Sequence, residues 1–369
     1  MSLQQRLNRL ARYPRLSLIY SSWRRLWRWE FMPMWLFYPP IVLWIIGLTL
    51  KYRCLAFTTT NPALPVSGLF GEQKSHLLKQ LQDKDTQYVA RFAVLSIQQT
   101  LIQRRHVASM FMQENQLNFP IVIKPENGQR GSDVTIIQND QQLDTVLQVQ
   151  QSDCLVQEYV AGLEFGVFFV LQKQSQQLED TEQAEHGFIF SLTEKCFPTI
   201  VGDGASTIQQ LILRHPRGHL SAKLFLNQHA LHKNTVLPDQ EVMKLVELGT
   251  HSRGSLFVDS MHDYTLALER TFCHIANQLD GFNFGRFDIR VPDRHSLHKG
   301  QQIKVLEVNG VTSEATHMYD PRYPLGYAYR VMFRQWKLAF EVGLTNIKQG
   351  QNPLSFFDFL KYVKSKYGL

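Results

Sequence analysis

The fold is decided by two short runs near the C-terminal end, Gly285-Arg286-Phe287-Asp288-Ile289-Arg290 and Val305-Leu306-Glu307-Val308-Asn309-Gly310. Side chains alternate across a strand, so Arg286, Asp288 and Arg290 share one face of the first run. Glu307 and Asn309 share one face of the second. Two carboxylates and an amide could supply oxygen ligands to a hard cation such as Mg²⁺. The alternatives are a solvated hairpin face, or an arginine that only pairs with Asp288.

A glycine-containing loop lies upstream. The run Phe119–Pro125 reads as a strand that carries Lys124 near its end, and Val134–Ile137 reads as the next strand. The loop between them has the sequence Glu126-Asn127-Gly128-Gln129-Arg130-Gly131-Ser132. Glycines let backbone N–H groups approach a polyphosphate, and the lysine adds a point charge. An ordinary hairpin with a glycine turn is the alternative.

Two further strands follow this loop. An apolar run, Cys154–Val160, leads into a turn, and a second strand over Gly162–Val170 begins with the carboxylate Glu164.

In this order the segments resemble the ATP-grasp superfamily over roughly Leu55 to Pro321. The resemblance implies an α+β, ATP-grasp fold in which two α/β subdomains hold ATP. It also implies site roles, as follows: phosphate contacts by Lys124 and, less strongly, Lys195; a phosphate-covering loop with Gly128, Arg130, Gly131 and Ser132; an adenine-facing hinge of Glu158, Tyr159 and Val160; a ribose contact by Glu164; and magnesium ligation by Asp288, Glu307 and Asn309.

The stretch Thr193–Ile212 narrows this resemblance. It is similar to the Pro-x-x-x-Gly-Asp-Gly-x-x-Thr-Ile segment of the glutathione synthetase and cyanophycin synthetase branch. From the residues alone, Gly202-Asp203-Gly204 is a turn, and Ser206 with Gln209 predicts a capping box that opens a helix. The loop after Asn309 differs from the Ser-Pro-Gly pattern of the D-alanine–D-alanine ligases, which argues against their substrate. Ser313, Glu314 and His317 face the acceptor or only cap this loop.

The resemblance implies an ADP-forming ligase that activates a carboxylate as an acyl phosphate and joins it to an amine or hydroxyl. Positioning and charge neutralisation are then the protein's task, so Arg286 and Arg290 are the candidate catalytic residues. A phosphotransferase and a non-catalytic nucleotide-binding membrane protein remain alternatives. The expected partners are ATP, Mg²⁺, small or lipid-linked carboxylate and amine substrates, an anionic membrane surface, and a second copy of the chain as a homodimer. Nucleic acid is not expected.

The first 53 residues hold the excess positive charge. They contain seven arginines together with Lys51 and Arg53, against Glu30 alone, in a chain whose net charge is +7. Five of the six tryptophans lie here too. Leu3, Leu7 and Leu10 repeat at helical spacing, and so do Trp23, Trp27 and Phe31. This pattern is typical of a helix in the interface of an anionic bilayer.

An uncharged segment, residues 31–50, follows and is long enough to span a membrane. Pro39-Pro40 interrupts it, and both flanks are basic. A re-entrant or monotopic anchor on the cytoplasmic face therefore fits better than a single span, and burial within the protein or a dimer is the third alternative. The expected location is cytoplasmic, peripheral or monotopic.

The predicted domains are a membrane-associating arm (1–52), a short α/β domain (53–105), the two ATP-grasp subdomains (106–160 and 161–321) and C-terminal helices (322–369). Arg53–Thr58 reads as a strand, and Gln172–Glu185 as a hairpin insertion.

The chain lacks the phosphate-loop, dinucleotide, serine-hydrolase and zinc-protease motifs. The cysteines Cys54, Cys154, Cys196 and Cys273 form no Cys-x-x-Cys and read as buried thiols.

Overall fold

A computed structural model describes residues 2–69, 74–128, 133–172, 186–247, 249–250 and 254–367. It confirms a mixed composition of helices and strands. The helices are α1 Leu3–Leu10, α2 Pro14–Leu26, α3 Met34–Phe37, α4 Pro39–Tyr52, α5 Lys74–Lys84, α6 Leu101–Glu114, α7 Asp140–Val149, α8 Ile208–Arg214, α9 Ala222–Gln228, α10 Leu266–Asn277, α11 Arg294–Lys299, α12 Leu325–Lys348 and α13 Phe356–Tyr367. The strands are β1 Phe92–Leu95, β2 Ile121–Pro125, β3 Thr135–Ile137, β4 Cys154–Glu158, β5 Leu163–Gln172, β6 His186–Cys196, β7 Thr199–Val201, β8 Val242–Lys244, β9 Leu256–Asp259, β10 Phe284–Val291 and β11 Lys304–Asn309.

The chain divides into two compact units that do not follow chain order. Unit 1 comprises Met1–Pro39, Lys195–Val258 and Tyr319–Gly326. Unit 2 comprises Pro40–Glu194, Asp259–Met318 and Tyr327–Leu369. The predicted hairpin insertion lies outside the described residues, apart from its first residue, Gln172, which ends β5.

The sheets position the candidate site. One sheet has the strand order β1-β4-β2-β3, and a larger one has the order β11-β10-β5-β6-β9. The pairs β1–β4, β4–β2, β2–β3, β11–β10, β10–β5 and β5–β6 are antiparallel. The larger sheet packs its apolar side against α5 and α10 in a core that includes Phe165, Phe169, Phe272 and Phe287. Its other side carries Arg286 and Asp288 together with the buried rings of Phe168 and Phe284.

A buried strap, residues 56–68, connects α4 to the segment before α5. It was predicted to begin as a strand, and that prediction is wrong, because Ala56–Thr59 form a 3₁₀ turn. The hydroxyls of Thr58, Thr59 and Thr60 donate to the carbonyls three residues earlier, which closes the turn locally. Asn61 is fully buried and its amide bonds the backbone of Asn283 and Phe284, at the start of β10.

The strap also packs against α12. The Asn346 amide donates to the carbonyls of Thr59 and Thr60, and a Cβ added at Gly343 would lie 1.9 Å from the Ala56 carbonyl oxygen. Glycine is therefore required for this close approach.

The first helix does not have the free apolar face that its spacing suggested. Leu7 is fully buried and Ala11 packs in the core of unit 1 with Ile208 and Ile212 of α8. Leu3 is partly exposed. The leucines of α1 therefore belong mainly to the protein interior of unit 1, and the prediction that this helix inserts into lipid is not supported.

The uncharged segment divides at Pro39, where α4 begins, in accord with the preference of proline for the first helical turn. Ile41 and Leu48 are buried, and the Trp44 indole donates to the Phe333 carbonyl at 3.0 Å. Within the described ranges, no helix has both the length and the apolar character needed to cross a membrane.

Two smaller expectations change. The capping box at α8 is made by Thr207 and Gln210, because Ser206 instead bonds Asp203. The four cysteines are free as predicted, but among them only Cys154 is buried. Burial raises the pKa of its thiol to about 11.

Candidate nucleotide and metal site

The predicted oxygen donors lie on adjacent strands of unit 2. In the β10–β11 pairing Asp288 stands opposite Glu307, and Arg286 stands opposite Asn309. The strands can approach closely because residue 285 is glycine: a Cβ there would lie 2.0 Å from the Asn309 carbonyl oxygen. The three predicted donors therefore share one sheet face.

Arg286 pairs with Asp288. Its Nε donates to Asp288 Oδ1 at 2.8 Å, and its Nη1 donates to the Glu314 carbonyl at 3.1 Å. Burial by itself would lower the pKa of Arg286, but the Asp288 carboxylate outweighs it and the pKa is raised. The ion pair that was considered as an alternative is thus present, and it fixes both side chains on the site face.

Lys124 is drawn into the same group of charges. Burial lowers the pKa of its ammonium to about 8, and the strongest opposing effect comes from Glu307. Asp288 also acts on it electrostatically. The lysine at the glycine loop and the carboxylates of β10 and β11 are therefore close together, as the resemblance requires. The Lys124 Nζ donates to the Leu306 carbonyl at 2.8 Å.

Lys74 lies beside one of the predicted metal ligands, and the sequence analysis did not predict this. Its Nζ lies 3.7 Å from Glu307 Oε1, and its side chain is 7% exposed. It is the first residue of α5, where a cation is disfavoured by the helix dipole. Ser75 holds this helix end by donating to Glu126 Oε1 from its backbone N at 3.0 Å and its Oγ at 2.6 Å. A lysine at the predicted start of a helix was the one sequence signal that could have identified Lys74.

The predicted hinge is held by an arginine that was also missed. Arg91 donates to Glu158 Oε2 from its Nε at 2.9 Å and its backbone N at 3.2 Å. Burial raises the pKa of Glu158, but the Arg91 hydrogen bonds more than offset this and the pKa is lowered. The hinge carboxylate is therefore ionised and fixed.

Arg290 connects the hinge to the predicted ribose contact. Its Nη2 and Nε donate to Glu164 Oε2 at 2.9 and 3.1 Å, and its Nη1 donates to the Val160 carbonyl. Its guanidinium also lies 5.3 Å from the centre of the Tyr159 ring. Arg290 thus pairs with Glu164 on the neighbouring strand, and a positioning role fits these contacts better than direct catalysis.

The remaining predicted residues are less defined. The described part of the glycine loop ends at Gly128, so Arg130, Gly131 and Ser132 lie outside the described residues. Lys195 is buried on β6 and belongs to unit 1, so its phosphate contact stays a prediction.

The loop after Asn309 is tied to the protein itself. Ser313 Oγ donates to the Gly310 carbonyl at 2.6 Å, and the Gln335 amide bonds the backbone of Ser313 and Ala315. Ser313 therefore shapes the loop. His317 is buried, with its ring perpendicular to that of Tyr327. An acceptor contact by Glu314 or His317 stays a prediction.

The donor set fits a hard cation. Asp288, Glu307 and Asn309 offer oxygens only, and the buried Asn309 Nδ2 has no hydrogen-bond partner among the described residues. No three His, Cys, Asp or Glu side chains group as a metal site in the described part of the chain.

Residues 79–182 match the RimK-like ATP-grasp domain. A search of curated proteins finds no match. Among solved structures, a bifunctional glutathione synthetase from Pasteurella multocida is 17% identical with a TM-score of 0.36, over 73% of this chain and 37% of that protein. A D-alanine–D-alanine ligase from Bacillus anthracis is 14% identical with a TM-score of 0.40, over 76% of this chain and 69% of that protein. The chain thus spans well under half of the glutathione synthetase.

The family match begins within α5, just after Lys74, and includes the whole of β2, with Lys124, and of β4. The β10–β11 carboxylates lie beyond its end, so their assignment depends on geometry alone. The match confirms the resemblance to the ATP-grasp superfamily, and residues 79–182 are the part of the chain that is similar to a RimK-like ATP-grasp domain.

Proposed function

We propose that this protein is an ATP- and Mg²⁺-dependent, ADP-forming ligase that joins a carboxylate to an amine or hydroxyl acceptor at a membrane surface. The observation that carries the proposal is the convergence of Lys124, Lys74, Asp288 and Glu307 beside a RimK-like ATP-grasp domain. Two cations and two carboxylates at one buried place suit a polyphosphate with a divalent metal.

The proposed reaction has two steps. A substrate carboxylate oxygen attacks the γ-phosphorus of ATP, the bond to the β-phosphate oxygen breaks, and ADP leaves. The acceptor nucleophile then attacks the acyl carbon of the acyl phosphate, and inorganic phosphate leaves. Lys124 and Lys74 would neutralise the phosphate charge throughout, and no protein nucleophile is needed.

Asp288, Glu307 and Asn309 are the residues that would hold Mg²⁺. Bound there, Mg²⁺ would supply positive charge that stabilises the phosphate oxygens. Arg286 and Lys74 pair with the two carboxylates, at 2.8 and 3.7 Å. These two cations are therefore placed where they could contact the substrate's phosphate and carboxylate.

The proposal also places the protein at the cytoplasmic face of a membrane. It is supported by the exposed apolar side chains of α4, which include Val42, Leu43, Ile46 and Leu50. The carboxylate and amine substrates would then be small molecules or lipid-linked molecules, and the chain could act as a homodimer.

The test is to incubate the purified protein with ATP, Mg²⁺, a lipid extract and hydroxylamine. A hydroxamate with stoichiometric ADP supports a ligase. A phosphorylated product without hydroxamate supports the phosphotransferase alternative, and nucleotide binding without turnover supports a non-catalytic protein. Glu307→Gln should remove turnover. The matched control is Asp280→Asn, because the side chain of Asp280 is exposed and pairs with the surface residue Lys84. Equal activity in Glu307→Gln and wild type would refute the metal assignment.

A further inference from the structure

Helix α2 has its polar side inward and its apolar side outward. Ser17 and Ser21 are buried, at 0% and 4% exposure. The large apolar residues are exposed, as follows: Leu16 55%, Ile19 66%, Trp23 53%, Leu26 84% and Trp27 75%. With 3.6 residues per turn these five fall in a stripe about 100° wide, and the two serines lie on the opposite side.

This orientation is costly for a protein surrounded only by water. The hydroxyls of Ser17 and Ser21 have no hydrogen-bond partner among the described residues. A helix normally turns its apolar stripe to the core, and a contiguous exposed patch marks an interaction surface. The small serines let α2 lie close to the turn Gly218–Ser221, to α8 and to α9 within unit 1. The outward stripe is thus held in place by the fold.

The charges beside the stripe are all positive. Arg15 and Arg24 flank it on its two sides by the helical spacing. Residues 2–29 contain seven arginines and no aspartate or glutamate. The first acid, Glu30, is buried and paired with Arg217. The charged side chains of α2 itself, and of the residues from 2 to 29 around it, are therefore all cationic.

A small hollow adjoins the stripe. Trp23, Arg24, Trp27 and Arg28 line it, and its volume is about 210 Å³. The two indoles meet edge to face at 6.2 Å. Guanidinium groups bind phosphate oxygens in a forked geometry, and indoles favour the boundary between headgroups and acyl chains. The hollow thus combines the two chemistries that a phospholipid headgroup presents.

We propose that the outward face of α2 docks on an anionic phospholipid bilayer, with the apolar stripe in the headgroup–acyl boundary and lipid phosphates beside the bordering arginines. It rests on the proposed action at a membrane surface and assigns that contact to specific residues. A second copy is a poorer occupant, because two such faces would bring arginines against arginines without acids between them. Nucleic acid would leave Leu16, Ile19 and Leu26 exposed.

The test is co-sedimentation of the full chain with vesicles of phosphatidylcholine alone or mixed with phosphatidylglycerol. We expect binding to the anionic vesicles, and Leu26→Glu or Ile19→Glu should weaken it at least about tenfold. Arg24→Gln should weaken it about fivefold on anionic vesicles only. The matched controls are Leu231→Glu and Ile102→Glu, at residues 93% and 81% exposed that are not part of α2. These should bind as wild type.

The outcomes separate this inference from the ligase proposal. Leu26→Glu should retain full ADP release without vesicles, whereas Glu307→Gln should bind vesicles normally. The inference is overturned if the wild-type protein does not bind anionic vesicles. It is also overturned if the control variants lose vesicle binding as strongly as Leu26→Glu does. It is also overturned if Leu26→Glu still binds vesicles but converts a dimeric wild type to a monomer. Loss of binding to single-stranded DNA in a variant that still binds vesicles would overturn it too.

Discussion

The polar face of the five-stranded sheet and the outward face of α2 depart from ordinary burial in opposite directions. On the sheet, Asp288 and Arg290 are charged side chains that are buried. On α2, Leu26 and Trp27 are apolar groups placed outside. Each arrangement lowers the stability of the folded chain in water, and such departures concentrate at functional surfaces.

The two faces differ in whether other groups of the protein contact them. The sheet face is balanced within unit 2, through the pairs Arg286–Asp288, Lys74–Glu307 and Arg290–Glu164. The α2 face has no corresponding cover among the described residues of unit 1. We infer that the sheet face is preorganised for a small polar ligand, whereas the α2 face requires a large apolar partner.

The largest effect is expected from the sheet face. Arg290→Met would remove the ion pair of Glu164 and leave this carboxylate buried, at a cost of about 3–5 kcal/mol. Urea unfolding measures it. Arg270→Met, at an exposed position, should change stability by less than about 0.5 kcal/mol. A cost below about 1 kcal/mol for Arg290→Met would mean that the face is hydrated and not preorganised.

Lys74 tests whether the missed lysine belongs to the site. Lys74→Met should lower kcat/KM for ATP by about 10²-fold, because one preorganised cation near the phosphates is lost. Steady-state ADP release is the measurement. Lys79→Met changes an exposed lysine on the same helix and should have no effect. Equal kinetics in the two variants would restrict Lys74 to a structural pairing with Glu307.

The orientation of α2 can be tested by stability alone. Ser21→Leu should destabilise the protein by about 1–3 kcal/mol, because a larger side chain does not fit the buried side. Leu26→Ser should change stability by less than about 0.5 kcal/mol. Thermal or urea unfolding compares them. The reverse order of costs would show that the stripe is packed and the serines are free.

The smallest effect concerns the turn on which α2 packs. His215 Nδ1 accepts from the backbone N of Gly218 at 2.7 Å and of Arg217 at 3.2 Å, and burial lowers the pKa of His215. The unfolded chain therefore binds more protons below about pH 6.5, so this contribution to stability is complete above that pH and is lost on acidification.

His215→Asn keeps an acceptor that does not titrate. It should flatten the decline in unfolding free energy between pH 7 and 5 by less than about 1 kcal/mol. Burial also lowers the pKa of His219, so His219→Gln should act in the same direction. An unchanged pH profile in both variants would show that this turn does not titrate.

Alternation along a strand predicted which residues of β10 and β11 share a face, since side-chain period depends only on the backbone. It did not predict that Arg290 pairs with Glu164, because this depends on which strand lies beside β10. Lys74 and Arg91 were missed for the same reason: their partners are distant in sequence.

Periodicity likewise identified apolar faces near the N-terminus but not what covers them. Leu7 and Trp27 belong to similar repeats, yet Leu7 is buried in unit 1 and Trp27 is exposed. Phe31 continues the spacing of Trp23 and Trp27, but its ring lies 4.2 Å from the Arg25 guanidinium and 5.2 Å from that of Arg217.

The strap sets a practical limit on how far the chain can be shortened. The Asn61 side chain forms hydrogen bonds with the backbone of Asn283 and Phe284, where β10 begins. The same strand carries Asp288. A fragment designed to begin at the family-matched region would lack these bonds. It would also expose the surfaces of β10 and α12 that contact the strap. Crystallisation or isotope labelling of a catalytic fragment should therefore retain the residues from Ala56 onward.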